Sequence, residues 1–266
     1  MFCENVGFEE HYISYATYKE YIRKYKIHNF VETEYIIEKQ RMIKDDEEIS
    51  NIIKACNITD DCFKYILSYI KPGMTEKQIA KEIDDYYIER TDGTSFDTIV
   101  ASGENSSKPH AVPSNRKIQE HDIITIDMGC KVNGYCSDMT RTFFVGEPTE
   151  EMKRVYDLVL NNQEFALDQY KEGASTRQVT KMVENDFKLN GYDLIHSLGH
   201  GVGLEIHEPP YVGIRHDTNL RENMVVTDEP GIYIPGKFGV RIEDTVQITK
   251  FGCVSLTNSE KGYVII

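Results

Sequence analysis

The chain has 266 residues with 40% hydrophobic and 28% charged side chains, a globular composition that excludes collagen-like, low-complexity and disordered chains. Its 44 acidic and 30 basic residues give a net charge of −14, which opposes binding to the phosphates of nucleic acids. No stretch approaches the ~20 apolar residues of a membrane span, and residues 1–10 lack the pattern of a signal peptide, so we expect no membrane partner.

Residues 1–40 form a separate segment. Their pattern predicts a strand at 4–7, a helix at 14–26 and a strand or linker that reaches Arg41. The six cysteines along the chain lack the C-x-x-C spacing of metal or redox sites. We expect free thiols in a reducing cytoplasm, with a thiolate metal site or nucleophile as the alternative. These cysteines are Cys3, Cys56, Cys62, Cys130, Cys136 and Cys253.

The rest of the chain contains an internal repeat. Residues 71–83 resemble residues 171–183, and residues 118–127 resemble residues 220–229 in the same order. In each copy a Thr or Ser two residues after a Gly predicts the N-cap of a helix, at Thr75 and Ser175. The repeat therefore predicts two helix-helix-strand-hairpin units, at about 47–148 and 149–256.

Apolar periodicity places the remaining elements. It predicts a long helix at 45–69, and a counterpart at 150–170 that follows the N-cap candidate Thr149. Runs rich in β-branched residues predict strands near 95–101, 122–128, 138–145, 223–229 and 239–248.

Two carboxylates flank the first predicted hairpin. Asp127 and Asp138 lie on either side of Asn133-Gly134, a strong signal for a two-residue turn. That turn would set position 127 opposite position 140 and put both Asp side chains on one face. Two carboxylates that close repel each other unless a cation lies between them or one binds a proton. The alternative is two Asp residues that merely flank a turn.

The second copy and the histidines favour the metal hypothesis. Glu229 and Glu243 bracket a further hairpin through Pro235-Gly236, and five of the eight histidines lie within 193–217 or at position 110. Four carboxylates and an imidazole suit Mn²⁺, with Fe²⁺ or Co²⁺ as substitutes, better than a thiolate-rich zinc site does. The donors suffice for two ions at the usual spacing of about 3.5–4 Å.

These motifs resemble the dinuclear pita-bread metallopeptidases, which comprise methionine aminopeptidase, aminopeptidase P and prolidase. The resemblance covers about residues 41–262, and Lys108-Pro-His110 and Arg241-Ile-Glu243 look most like the proline-specific branch. It implies an α+β pita-bread fold with two pseudo-symmetric halves around a mostly antiparallel sheet. The motifs are Asp127; Asp138 in Ser-Asp-Met-Thr-Arg; His200 in Gly-His-Gly-Val-Gly; Glu229 in Asp-Glu-Pro-Gly-Ile-Tyr; and Glu243 in Arg-Ile-Glu-Asp.

The resemblance also implies roles for these residues. Asp127 would bind one ion, Asp138 and Glu243 would bridge both, and His200 and Glu229 would complete the second site. A hydroxide that bridges the ions would attack the peptide bond before proline, and Glu229 would carry its proton to the leaving nitrogen. The substrate-binding residues would be His110, His196, His207 and Arg241, with His110 and His207 stabilising the tetrahedral intermediate.

The implied protein is a cytoplasmic Xaa-Pro aminopeptidase or dipeptidase with two divalent ions, Mn²⁺ first and Co²⁺, Fe²⁺ or Zn²⁺ as substitutes. Its partner would be a peptide with proline at the second position, and a homodimer stays open. Proline-specific members carry a full N-terminal domain, whereas residues 1–40 resemble only its tail and residues 41–266 the catalytic domain. This difference is the basis of the impaired-fragment alternative, in which the chain would bind metal well and cleave poorly.

Two other interpretations remain open at this point. One is an enzyme similar to methionine aminopeptidase, whose N-terminal extension is shorter. The other is a catalytically impaired fragment, or a pseudo-enzyme that uses the same fold to bind peptides. Pseudo-enzymes characteristically lose metal ligands, whereas all five ligand positions are filled here.

Overall fold

The computed structural model describes residues 5–25 and 27–266, and the chain forms two compact units, Met1–Arg41 and Met42–Ile266. The predictions for Cys3, and for the ends of the first strand at residue 4 and the first helix at residue 26, lie outside the described residues. Within the described part of the chain, no helix is both long enough and apolar enough to cross a lipid bilayer.

The first unit has a β-α-β-α order: β1 (Asn5–Glu9), α1 (Tyr15–Tyr25), β2 (Asn29–Thr33) and α2 (Ile36–Arg41). Strands β1 and β2 pair in parallel, with Val6 opposite Phe30. The segment predicted as a strand or linker into Arg41 instead ends in helix α2. Its charges suit a helix, because Glu38 lies in the first turn and Lys39 and Arg41 lie in the last turn, each at the favourable end of the helix dipole.

The second unit consists of two halves that each begin with two helices and continue in antiparallel strands, as the internal repeat predicts. The first half comprises α3 (Asp46–Tyr69), α4 (Glu76–Ile88), β3 (Ile99–Ser102), a 3₁₀ helix (Gly103–Ser107), β4 (Ile123–Met128), β5 (Lys131–Val132), β6 (Tyr135–Cys136) and β7 (Met139–Phe144). The second half comprises α5 (Glu150–Gln169), α6 (Thr176–Leu189), β8 (Gly199–Gly201), β9 (Glu208–Val212), β10 (Val225–Asp228), β11 (Gly231–Ile234), β12 (Phe238–Arg241), β13 (Asp244–Ile248) and β14 (Cys253–Ser255).

The four long helices begin where the capping residues predict. Asp45 caps α3 through a reciprocal capping box with Glu48, and the hydroxyls of Thr75, Thr149 and Ser175 accept hydrogen bonds from the first turns of α4, α5 and α6. The equivalent caps Thr75 and Ser175 follow turns at Gly73 and Gly173, which both adopt positive φ. The repeat is therefore conserved down to the start of each second helix.

The antiparallel strands are divided between the two halves rather than forming one continuous sheet. Strands β3-β4-β7 form the first sheet and β14-β13-β10-β8-β9 form the second, with β11-β12 as a separate hairpin. The strand predicted at 239–248 is two strands, because β12 pairs with β11 whereas β13 pairs with β10. At the break, the backbone N–H of Glu243 donates to the carbonyl of Thr140 on β7, 3.1 Å away. The break thus joins the two halves at a predicted site residue.

Each half buries its helices against its own sheet. On α3 the apolar residues Ile49, Ile52, Cys56 and Phe63 are buried. One hydrophobic cluster joins α3 and α4 to β3, β4 and β7, and a second joins α5 and α6 mainly to the strands of the second half.

A close approach of backbones makes Gly199 a sensitive position. A Cβ atom there would lie 2.1 Å from the carbonyl oxygen of Thr227 on β10, a distance that forces one strand to move. We expect Gly199→Ala to lower the free energy of unfolding by about 1–3 kcal/mol, as overpacking in a core does. The control Gly252→Ala meets no atom within 4 Å and should change it by less than about 0.5 kcal/mol. Equal urea midpoints for both variants would contradict this packing argument.

Candidate metal centre

The first carboxylate hairpin has the predicted register. Asp127 on β4 lies opposite Thr140 on β7, and the turn residues Asn133 and Gly134 both have positive φ, as a type I′ turn requires. Asp138 comes directly before β7 and is 4% exposed. Both carboxylates line the same cavity, as the diagonal arrangement on one face predicts.

The second hairpin presents its two acids in a similar way. Strands β11 and β12 pair with Ile234 opposite Phe238 around the predicted turn. Glu229 lies two residues before β11, and Glu243 lies two residues after β12 with 1% of its surface exposed. Since antiparallel strands bring their outer ends together, the two glutamates meet at the open end of the hairpin.

All the site residues that the sequence predicts line one cavity of about 360 Å³, which we call the metal-centre cavity. His200 on β8 lies among the acids, with Nε2 3.4 Å from Asp138 Oδ2 and 3.5 Å from Glu229 Oε1. The His207 ring lies 4.3 Å from the His200 ring, centroid to centroid. The predicted residues on its wall are His110, Asp127, Asp138, His196, His200, His207, Glu229, Arg241 and Glu243.

The buried acids destabilise one another as anions. Burial and the neighbouring acids, chiefly Glu243, raise the pKa of Asp138 well above its ordinary value, and burial with Glu229 does the same for Glu243. Burial raises the pKa of Glu229 to about 8. Such a cluster is stable as anions only with a cation in its midst, or else it retains protons.

The donor set fits divalent ions. Ligand atoms of Asp138, His200 and Glu243 all lie within 4.8 Å of one another. Oδ1 of Asp127 is buried and has no hydrogen-bond partner among the described residues, although its other oxygen is bound by Arg241. A buried carboxylate oxygen that lacks a donor is expected where a cation is meant to bind. An oxygen-rich set with one imidazole and no thiolate suits divalent ions that prefer oxygen and nitrogen ligands.

His200 is held in the tautomer that a metal requires. Its Nδ1 lies 3.1 Å from the carbonyl of Gly201, so Nδ1–H donates there and Nε2 presents a lone pair to the acids. Burial, assisted by His207, lowers the pKa of His200 to about 3, which keeps the ring neutral. A neutral imidazole with a fixed tautomer is the form that binds a metal ion.

Hydrogen bonds from neighbouring side chains hold two of the acids, Asp127 and Glu243, in place. Arg241 donates to Oδ2 of Asp127 at 2.7 Å and to the hydroxyl of Tyr233 at 2.9 Å. The Tyr233 hydroxyl also lies 3.0 Å from Nε2 of His196. Thr140 donates to Glu243 at 2.6 Å and accepts from Arg241. A continuous series of hydrogen bonds therefore links Glu243 to His196.

Sequence reasoning missed Tyr233 and Thr140, although both had a signal. Thr140 lies opposite Asp127 in the predicted register, so the two side chains share a face. Tyr233 shares a face of the second hairpin with Gly231, which lies opposite Arg241. Tyr211 on β9 and Phe96 in a loop had no such signal, because packing between distant segments brings them to the cavity.

The raised pKa values predict how the metal-free protein responds to pH. Folded Glu229 holds a proton up to about pH 8, whereas the unfolded chain releases it near the ordinary value of 4.5. Stability is therefore lost as pH rises through that window, by up to about 1.4 kcal/mol per pH unit for each retained proton. The lowered pKa values of His196 and His200 make stability rise with pH instead, but only below about pH 6.5. With chelator present, urea midpoints should fall from pH 6.5 to 8; a rise would contradict the buried acid cluster.

Comparisons with known proteins match the chain to a family and to solved structures. Residues 50–250 match the model of metallopeptidase family M24. The chain is 41% identical over 254 residues to the Xaa-Pro dipeptidase of Pyrococcus furiosus, covering 94% of this chain and 72% of that protein. It superposes on the Xaa-Pro dipeptidase from Bacillus anthracis (TM-score 0.95, 40% identity, 99% and 75% coverage) and on the X-Pro aminopeptidase from Thermotoga maritima (0.94, 36%, 99% and 76%).

Two pseudo-equivalent halves that share one cavity of acids and histidines define a metal-dependent peptidase. The chain belongs to metallopeptidase family M24. Its architecture is the pita-bread fold of the prolidases that it matches, which confirms the predicted fold class and family. The matched residues 50–250 include every predicted site residue, from His110 to Glu243.

Proposed function

We propose that this chain is a metal-dependent Xaa-Pro peptidase, which hydrolyses the bond before a proline at the second position of a peptide. The observation that carries this is the convergence of four acids and His200 on one cavity that also holds His110, His196 and His207. Relatives named for both Xaa-Pro dipeptidase and X-Pro aminopeptidase activity support the substrate class.

In this proposal two divalent ions, Mn²⁺ by preference, bind to the buried acids and His200. When bound, they supply a lowered pKa for water and a positive field for the scissile carbonyl. Asp138 and Glu243 are the most buried of the four acids, and burial followed by repulsion from the neighbouring acids raises the pKa of both, so both would hold the ions most closely. Asp127 would offer its unpartnered Oδ1 to an ion, and Glu229 and His200 would hold an ion together.

Glu229 is the proton carrier of the proposed reaction. Burial raises its pKa to about 8, so in the absence of metal the carboxyl exchanges a proton near neutral pH. It would accept a proton from the attacking water and deliver it to the proline nitrogen as that nitrogen leaves. Oε1 of Glu229 is 3.4 Å from the Thr227 hydroxyl, which limits its rotation.

His207 and His110 would bind the carbonyl oxygen of the scissile bond. Both line the cavity beside the acids, and His207 is fixed against the His200 ring. An N–H group aimed at that oxygen would stabilise the negative charge that develops on it. His196 would line the proline subsite, where Tyr233 and the carbonyl of Ser197 hold its ring. Arg241 would orient Asp127 and, through Tyr233, His196.

The remaining proposals concern the whole protein. We propose that residues 1–40 are the tail of an N-terminal domain and that residues 41–266 are the catalytic domain; the matched relatives extend beyond the chain by about a quarter of their own length. The free cysteines, four of them buried, support a reducing cytoplasm. A homodimer stays a prediction.

A peptide panel tests the substrate class against the methionine aminopeptidase alternative. We expect the Mn²⁺-loaded chain to cleave Phe-Pro-Ala and to leave Met-Gly-Ala and Phe-Gly-Ala intact. His207→Ala should lower kcat by about 10²–10³-fold with the metal content unchanged, as loss of one oxyanion donor does. The control His28→Ala removes an exposed histidine outside the metal-centre cavity. Faster release of methionine than of phenylalanine from these peptides would contradict the proposal.

A further inference from the structure

A second cavity of about 440 Å³ opens beside the metal-centre cavity, and we call it the side cavity. The two cavities share His196, Ser197 and Tyr211 on their walls. In the proposed function His196 lines the proline subsite. A peptide bound there would therefore continue past His196 and Tyr211 into the side cavity with the residues that follow proline.

The side cavity carries positive charge and apolar surface. Arg215 and His216 line it together with apolar residues such as Ile195 and Ile214, and no acidic side chain among the described residues does so. The Arg215 guanidinium makes no ion pair or hydrogen bond within the described part of the chain. The nearest acid in sequence, Asp217, already binds the Ser175 hydroxyl at 2.6 Å and lies 3.7 Å from Arg177. Arg215 is therefore available to an anion.

The metal-centre cavity offers no equivalent cation beyond the metal ions. Arg241 is the one arginine or lysine among its described lining residues, and its guanidinium is bound by Asp127 and Tyr233. Both ring nitrogens of His196 are engaged, by the Ser197 carbonyl and Tyr233. Burial and, to a smaller extent, the positive charge of Arg241 lower the pKa of His196 to about 4, so the ring carries no charge. A carboxylate on the proline itself would lose water there without a partner.

We infer that the side cavity is the subsite for the residue after proline, and that Arg215 binds the C-terminal carboxylate of a tripeptide. The chain is then a preferential Xaa-Pro aminopeptidase that acts on Xaa-Pro-Yaa in preference to Xaa-Pro. This inference rests on the proposed function and names the peptide length that the same site selects.

The test compares three substrates with the Mn²⁺-loaded full chain: Phe-Pro, Phe-Pro-Ala and Phe-Pro-Ala-amide. We expect kcat/KM to be at least about tenfold higher for Phe-Pro-Ala than for Phe-Pro. Amidation of the tripeptide should lower kcat/KM about tenfold, mainly by raising KM. The reason is that it deletes one charge-assisted contact in a solvent-accessible site. Arg215→Gln should cause the same loss with Phe-Pro-Ala and make the enzyme indifferent to amidation. The exposed Arg221, outside both cavities, provides the matched control Arg221→Gln.

The outcomes separate this inference from the function on which it rests. Cleavage of Phe-Pro as fast as Phe-Pro-Ala, or an amide effect that survives Arg215→Gln, would overturn the subsite and leave the Xaa-Pro peptidase intact. Equal losses in Arg215→Gln and Arg221→Gln would also overturn it, because they would reflect net charge alone. Failure of the wild-type chain to cleave any of the three substrates would instead remove the proposed function, and the subsite with it.

Discussion

Glu243→Gln should abolish peptidase activity and at the same time leave the metal-free protein more stable. The side chain is 1% exposed among three other acids, and burial with Glu229 and Asp127 raises its pKa. A neutral amide removes that repulsion and still accepts from Thr140, so the free energy of unfolding should rise by about 1–3 kcal/mol with chelator present. Activity should fall by about 10³-fold or more, since loss of even an outer partner of a metal ligand costs about 10–100-fold.

Two measurements check this prediction together. Mn²⁺ at 100 times its dissociation constant should stabilise the wild type by about 2.7 kcal/mol for each bound ion, and it should stabilise Glu243→Gln less. Glu260→Gln, in the C-terminal segment away from the cavity, is the matched control and should keep both activity and metal stabilisation. A Glu243→Gln protein that unfolds more easily than wild type in chelator would show that the acid cluster is not strained.

Arg241→Met should destabilise the metal-free protein by about 3–5 kcal/mol, the cost of leaving one member of a buried ion pair without its partner. Arg241 is 4% exposed and donates to Asp127, Tyr233 and the carbonyl of Pro109. The loss should be smaller with Mn²⁺ bound, because the ions then compensate the charge of Asp127. Urea unfolding with chelator and with Mn²⁺ measures both values.

A double-mutant cycle isolates the ion pair. Asp127→Asn combined with Arg241→Met should recover most of the stability lost by Arg241→Met alone in chelator, because no charge is then left unpaired. The exposed Arg154, whose contact is a 3.4 Å hydrogen bond to Tyr192, supplies the control Arg154→Met. A strictly additive cycle would contradict the pairing of Arg241 with Asp127.

The repeat and the hairpin signals explain how much of the fold and site the sequence contains. Local rules determine the helix caps at Thr75 and Ser175 and the register that sets Asp127 opposite Thr140, and the structure has both. Such features depend on neighbouring residues and on a short turn, so one copy suffices to predict them. The second copy then predicts where the halves present equivalent acids.

Other features depend on contacts between distant segments. The strand predicted at 239–248 breaks at Glu243 because its backbone binds Thr140 of the other half. Apolar alternation continues through the break, so the pattern along one strand cannot reveal it. The same limit applies to Tyr211 and Arg215, which lie on the segment after His207 and reach the cavities only through tertiary packing.

The most direct test of the two-metal peptidase is hydrolysis of Phe-Pro and Phe-Pro-Ala by metal-stripped chain, with and without Mn²⁺. Calorimetry on the same preparation counts the bound ions. We predict two ions per chain, cleavage that depends on added Mn²⁺, and a loss of cleavage in Glu229→Ala. Cleavage that continues in the stripped protein or in Glu229→Ala, or a wild-type chain that binds no metal, would contradict the account.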